Sequence, residues 1–571
     1  MNLTPDKPIA GLLAPLFAIR TENDLGIGDV DGLRQLVDWA ADIGFELVQL
    51  LPINETGNDH SPYNAISSVA IDPTTIFISP DSIKDLPRAD FDAITAAANL
   101  PKLRTGPVQY TKVKALKQAL LLKAFTYFCD NESKRNTARA KKFRAFTKEQ
   151  AAWINDYALY RVLIDENEGD ERWDKWPEQQ RTGPTAAKWL REQSVFKRKE
   201  LDRKIKFYMY VQWTAYTQWT ALKTYCDGRG VALMGDVPYG VSYYSSDVFS
   251  QPGIFDLTWS GGAPPEKVFK SDPFTEKWGQ NWGIPLYRWD VMKSDDFAWW
   301  RRRVQMVREI FHLFRIDHVL GFYRIYSFPW RPQENAVYLP RSGDEAKEFT
   351  GGRLPGFLPR DDSNAQNCEA NKIAGESYLK ALLETVGANR LIGEDLGVVP
   401  DYVRPSLTSL GIAGFKIPIW ETGENGRLAD GKTYQRLSVT TYATHDHPPI
   451  RTHWDDLYAA ASTGNGHALY EMQRLAEFAG IDQATMPKPF SDEIHTALIA
   501  ALFRSNSWIA ILMITDLFGS TQRFNVPGAI ADSNWSERLA LPISKWKDDM
   551  QIVWKAGQAR MALKESGRHV V

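Results

Sequence analysis

The 571-residue chain is predicted to be an α/β protein, a (β/α)8 TIM barrel with inserted helical and loop subdomains. Three observations predict it. Eight short apolar runs recur along the chain, several follow segments of helical periodicity, and carboxylates fall at the ends of most of them. Runs that are apolar at consecutive positions suit strands buried on both faces, as in a parallel sheet. A helix before each new strand implies right-handed crossovers, and eight such units can close as a barrel.

The runs are Gly11 to Phe17, Phe45 to Ile53, Val231 to Pro238, Phe314 to Val319, Arg390 to Leu396, Gly414 to Trp420, Val439 to His445 and Ile509 to Leu517. Between the first two, Asp29 can cap a helix whose apolar positions Leu33, Leu36, Val37, Ala40 and Ile43 recur at helical spacing and stop at Gly44. Phe207 to Cys226 is aromatic and periodic, ends near Gly228 and Gly230, and feeds the third run. The stretch between the second and third runs is far too long for one crossover. Tyr110 to Asn131 and Lys141 to Asp165 within it read as helices, so residues 85–205 are predicted to form an inserted, mainly helical subdomain. Its segment Ser133 to Lys148 carries seven basic residues and no acid, which reads as a solvated helix face because acids abound elsewhere in the insertion. Residues 327–366, rich in Gly, Pro and charge, are predicted to be a second insertion, a loop lid beside the barrel mouth. The whole chain, 1–571, is read as one catalytic barrel domain carrying these two insertions.

Bulk properties exclude several classes. A net charge of −2 gives no field to draw the protein to nucleic acid or an anionic membrane. No uninterrupted apolar stretch is long enough to span a bilayer, and Pro15 interrupts the only leader-like run. Three cysteines, Cys129, Cys226 and Cys368, make neither a disulfide framework nor a zinc site, which fits a reducing cytoplasm. The 20 Trp, 22 Tyr and 27 Phe are unusual, and flat amphipathic rings suit sugar faces as well as cores.

The chemistry shows in where acids meet strands. Asp236 ends the third run, Asp317 the fourth, Glu394 and Asp395 the fifth, Asp446 the seventh and Asp516 the eighth. In a (β/α)8 barrel all C-terminal strand ends face one mouth, where catalysis occurs. One strand-end Asp would pass for a helix cap, but a converging set marks function. Arg315 lies two residues before Asp317 and shares its face of the strand. A guanidinium there stabilises an ionised carboxylate, as a nucleophile requires. Glu394 and Asp395 must point to opposite faces, and the residues alone do not say which one faces the mouth. Glycosidic chemistry needs one anionic and one protonated carboxyl, ~5–5.5 Å apart in a retaining enzyme. Asp317 and Glu394, on adjacent strands ~4.8 Å apart, could meet that distance.

The motifs Leu25-Gly-Ile-Gly-Asp29, Leu51-Pro-Ile53, Ser61-Pro-Tyr-Asn64, Gly235-Asp-Val-Pro238, Gly279-Gln-Asn-Trp-Gly283, Arg315-Ile-Asp-His318, Gly393-Glu-Asp-Leu-Gly397 and Thr444-His-Asp446 run in order along the chain. By them the chain resembles the 4-α-glucanotransferases, the amylomaltases or disproportionating enzymes, relatives of the α-amylase clan. The resemblance implies retaining transfer of α-1,4-glucan segments between maltooligosaccharides, with glucose release, through a covalent glucosyl-Asp intermediate. It implies Asp317 as nucleophile, Glu394 rather than Asp395 as acid/base, and Asp446 as the third carboxylate holding sugar hydroxyls. Tyr63, Asp236, Gln280, Trp282, Arg315, His318 and His445 match the family's substrate-binding residues. Two departures stand out: the stretch from 265 to 279 is longer than usual, and His447, followed by Pro448 and Pro449, replaces the common Asn.

The alternative within the clan is an α-glucan hydrolase, which would carry the same three carboxylates. A zinc hydrolase built on His445 and His447, or a non-enzymatic glucan binder, fits the carboxylate set less well. No organic cofactor and no metal is expected. The expected partners are α-1,4-glucans and maltooligosaccharides.

Overall fold

A computed structural model describes residues 1, 3–265, 272–423, 426–527 and 533–568. Twelve strands are named in chain order: β1 (Ile9–Leu13), β2 (Leu47–Gln49), β3 (Ala232–Val237), β4 (Phe255–Ala263), β5 (Gln280–Tyr287), β6 (Leu313–Ile316), β7 (Ile325–Phe328), β8 (Gly356–Leu358), β9 (Leu391–Gly393), β10 (Gly414–Lys416), β11 (Ser438–Thr440) and β12 (Ile509–Met513). Eight of them form one parallel sheet in the order β10-β11-β12-β1-β2-β3-β6-β9. A parallel bridge between Ile392 and Ala413 joins its two ends, reinforced by the Gly393 N–H donating to the Ala413 carbonyl at 2.9 Å. The sheet thus closes as the expected barrel, and each of the eight apolar runs contributes one strand.

Packing follows the period-two alternation of strand side chains. Ile9 and Leu13, Ala232 and Met234, Leu313, Ile392, Phe415, Val439, and Ile509, Ile511 and Met513 fill one cluster in the barrel interior. Their neighbours Ala10, Leu12, Leu233, Phe314, Leu391, Ala510 and Leu512 belong to the larger cluster between strands and surrounding helices. Helix Val30–Ile43 forms as its sequence dictates. Asp29 accepts from the Asp31 and Gly32 N–H groups, Leu33, Leu36, Val37, Ala40 and Ile43 are buried, and Gly44 stops it at φ 111°. The helix before β3 runs Val195–Arg229, starting earlier than its aromatic periodicity suggests because its first turns are polar.

Residues 85–205 are mainly helical, including Tyr110–Phe128, Ala138–Glu149 and Ala151–Glu166. The basic run lies mostly on the exposed face of Ala138–Glu149, with Arg139 bonded to Asp85 at 2.6 Å. Residues 327–366 are not the irregular loop that their composition suggests. They hold the second half of β7, all of β8, and helix Gly343–Thr350, whose start is closed by a Ser342–Glu345 capping box. With β4 and β5 they form an antiparallel sheet in the order β5-β4-β7-β8, packed on Phe274, Trp278, Phe328, Trp330 and Tyr338. Glycines, Pro285 and two register shifts hide the alternation of β4 and β5 from a sequence reading. Of the long 265–279 stretch, 266–271 lie outside the described residues, while Pro273–Trp278 is a short helix. Among the described residues no helix is long and apolar enough to cross a membrane.

Candidate active site

The interior stripe of each strand, continued two residues past the last apolar position, delivers the polar side chains to the C-terminal mouth. Ala232 and Met234 lead to Asp236, Leu313 leads to Arg315 and Asp317, and Ile392 leads to Glu394. Leu391 and Gly393 lead instead to Asp395, which points away from the interior. Asp395 accepts the Phe415 N–H at 2.6 Å and pairs with Arg404 at 3.0 Å. The structure therefore separates the neighbouring acids.

A cavity of about 520 Å³ opens at this mouth. Tyr63, Gln280, Trp282, Arg315, Asp317, His318, Glu394, His445 and Asp446 all line it. Asp236 does not. Its carboxylate is covered, accepting the Tyr63 hydroxyl at 2.7 Å and Arg315 Nη1 at 2.6 and 2.8 Å. Asp236 is thus placed beneath the cavity lining, supporting Tyr63 and Arg315. Asp516, grouped above with the mouth acids, is also elsewhere. It sits in the short helix after β12 and accepts the Ile450 N–H, capping the helix Ile450–Ser462.

Arg315 organises the centre. While Nη1 holds Asp236, Nη2 lies 2.7 Å from an Asp317 oxygen and 3.9 Å from Glu394 Oε2. Both carboxyls thus share one nitrogen, and their two oxygens stand no more than about 6.6 Å apart, the sum of those two distances. Glu394 is buried and held by two backbone donors, His318 N–H at 2.7 Å and Leu396 N–H at 3.1 Å. His318 can reach Glu394 because its backbone adopts φ 47°, a left-handed turn just past the strand end. Burial pushes the Glu394 carboxyl up to about 8, with the Asp317 charge adding and Arg315 and the His318 N–H opposing. Asp446 moves the other way. Burial works against it, but His445, 3.3 Å from its carboxylate, and the Asn525 amide at 2.6 Å hold it below the usual range.

Aromatic rings frame these groups. Tyr63 stacks on His445 at 4.9 Å, with Trp535 tilted against both. Trp282 stands edge-on to His318 at 4.9 Å and hydrogen-bonds Gln280. Asn525, Trp535, Trp420, Arg324, Tyr326 and Phe357 also line the cavity and escaped the sequence reading. They come from loops and from the antiparallel sheet, where no strand-end rule points to them. Cavity, charge and aromatic rings together suit a neutral, hydroxyl-rich chain whose rings need flat faces.

The family model described as 4-alpha-glucanotransferase, glycoside hydrolase family 77, matches residues 14–543. The 4-alpha-glucanotransferase of Chlamydia pneumoniae is 30% identical over 559 residues, covering 94% of this chain and 92% of that protein. Amylomaltase from Streptococcus agalactiae, solved in complex with acarbose, superposes with a TM-score of 0.72 at 20% identity, covering 99% of this chain and 100% of that one. Amylomaltase from Corynebacterium glutamicum gives a TM-score of 0.75 at 20% identity, covering 97% of this chain and 75% of that one. With the family model spanning nearly the whole chain, the protein belongs to the 4-alpha-glucanotransferases of glycoside hydrolase family 77.

Proposed function

We propose that the enzyme transfers α-1,4-glucan segments between maltooligosaccharides with retention, through a covalent intermediate on Asp317. The observation that carries this is the shared guanidinium: Arg315 touches Asp317 directly and stands 3.9 Å from a buried Glu394. Asp317 is thereby kept beside a cation, while burial, against the pull of the same guanidinium, lets Glu394 keep its proton, the division of labour that retaining chemistry requires.

In the first step an Asp317 oxygen attacks the anomeric carbon of the donor. The glycosidic C–O bond breaks, and the Glu394 proton passes to the departing O4. In the second step Glu394, now a carboxylate, takes the proton from the 4-hydroxyl of an acceptor glucan. That oxygen attacks the anomeric carbon, and the bond to Asp317 breaks. Asp446, with His445, takes hydroxyls of the ring being transferred, and Tyr63 lies beside that ring. When the donor is maltotriose and a single glucose unit departs, glucose is released. Water in place of the acceptor would give hydrolysis, and the aromatic rings that line the cavity favour the glucan over water.

Two measurements test this. Maltotriose incubated with the enzyme should yield glucose together with a ladder of longer maltooligosaccharides; glucose and maltose alone would favour hydrolysis. The Glu394→Gln protein mixed with α-maltosyl fluoride and quenched in acid should carry a maltosyl group on the peptide containing Asp317. An adduct on another residue would overturn the nucleophile assignment.

A further inference from the structure

His447 stood out in the sequence as a departure from the common Asn, and the transfer mechanism above makes no use of it. It lines the cavity next to Trp420, whose indole is 49% exposed there and meets the imidazole edge-on at 4.9 Å and 72°. Trp420 follows β10, the strand between that of Glu394 and that of Asp446. The Thr444 backbone N–H, which can only donate, points at His447 Nδ1 from 3.3 Å. The Thr444 hydroxyl lies 2.8 Å from the same nitrogen and itself accepts the Asp446 N–H at 3.4 Å. Nδ1 is thereby an acceptor. Burial lowers the ring to about 4 against the pull of Asp446, so the neutral imidazole carries its one proton on Nε2.

Resting on the transfer reading above, we infer that Trp420 and His447 form a subsite for the acceptor glucose, the indole as platform and Nε2–H as a donor to one ring hydroxyl. The side follows from the chemistry. Departing and entering rings must lie on the flank of Glu394, which exchanges a proton with their O4, and β10 is the strand beside β9. The ring being transferred is already served by Tyr63, His445 and Asp446. The imidazole cannot accept a hydrogen bond at this face, so it selects a hydroxyl oxygen at one position of the incoming ring. An indole face with one fixed donor is a common way to hold a pyranose.

The test is steady-state transfer from maltotriose to added glucose and to single deoxyglucoses. Trp420→Ala should raise the KM for glucose about tenfold and, because the departing ring uses the same subsite, raise that for maltotriose as well, with Trp420→Phe restoring most of the loss. The wild type should discriminate against one deoxyglucose, and His447→Phe, which keeps a ring against Trp420, should lose that discrimination alone. Thermal unfolding confirms that the variants are folded. An unchanged glucose KM in Trp420→Ala, a loss that Trp420→Phe does not restore, or a His447→Phe protein that still ranks the deoxyglucoses like the wild type would overturn the subsite. Those outcomes leave the transfer reading standing, whereas a wild type that builds no longer chains would remove both.

Discussion

Glu394→Gln against Asp395→Asn is the sharpest test of the mechanism, because two adjacent acids should behave in opposite ways. Glutamine keeps the size of Glu394 and can still accept from the His318 and Leu396 N–H groups, but it has no proton to give. General acid catalysis contributes ~10²–10⁴-fold, about 3–5.5 kcal/mol of barrier, so transfer from maltotriose should fall by that factor. Fluoride leaves without protonation. Attack on α-maltosyl fluoride by the same variant should therefore run within about tenfold of wild type. Asp395→Asn keeps an oxygen for the Phe415 N–H and loses only the pairing with Arg404, whose side chain is half exposed. Its cost should be about 1 kcal/mol of stability and no more than about threefold in kcat/KM. The wild-type pH profile adds a check. Glu394 is held up to about 8 and must be protonated to act, so kcat/KM should drop as pH rises through that value. Equal losses for the two variants, or a Glu394→Gln enzyme as slow on the fluoride as on maltotriose, would refute the acid assignment.

Two further outcomes concern stability. Burial raises Asp516 from 3.8 to about 7, so its contribution is complete below pH 3.8 and is lost as pH rises through 7, by up to about 1.4 kcal/mol per pH unit. Asp516→Asn should flatten the fall in melting temperature between pH 4 and 8, and an unchanged slope would contradict it. At the other end of the barrel the buried Arg568 guanidinium donates to the carbonyls of Ile9, Phe503, Ser505, Ser507 and Trp508, tying β1 to β12. Arg568→Met should cost about 3 kcal/mol or more, read as a lower melting temperature with the KM for maltotriose unchanged at 25 °C. An unaltered melting temperature would show the clamp to be dispensable.

Much of the barrel was legible because its signals are local. Each parallel strand is buried on both faces and so reads as a continuous apolar run, and the Asp29 and Gly44 caps mark one intervening helix without reference to anything distant. The antiparallel sheet was not legible. Its strands β4 and β5 are bulged and carry Gly261, Gly262, Gly283 and Pro285, so neither alternation nor an apolar run survives. Asp516 misled because a strand-end Asp also serves as a helix cap, and which use prevails depends on Ile450, 66 residues away in the chain.

By itself the sequence determined that carboxylates would gather at strand ends and that Arg315 and Asp317 would share a face, since both follow from chain geometry of period two. It could not choose between Glu394 and Asp395. Both stripes of a barrel strand are apolar, so nothing local distinguishes the inside from the outside. Only the closed barrel decided it, by placing Ile392 in the interior and so turning Glu394 towards Arg315 and Asp395 towards Phe415 and Arg404. The same closure sank Asp236 of β3 beneath Tyr63 and set Trp420 beside His447, contacts between distant segments that no spacing along the chain encodes.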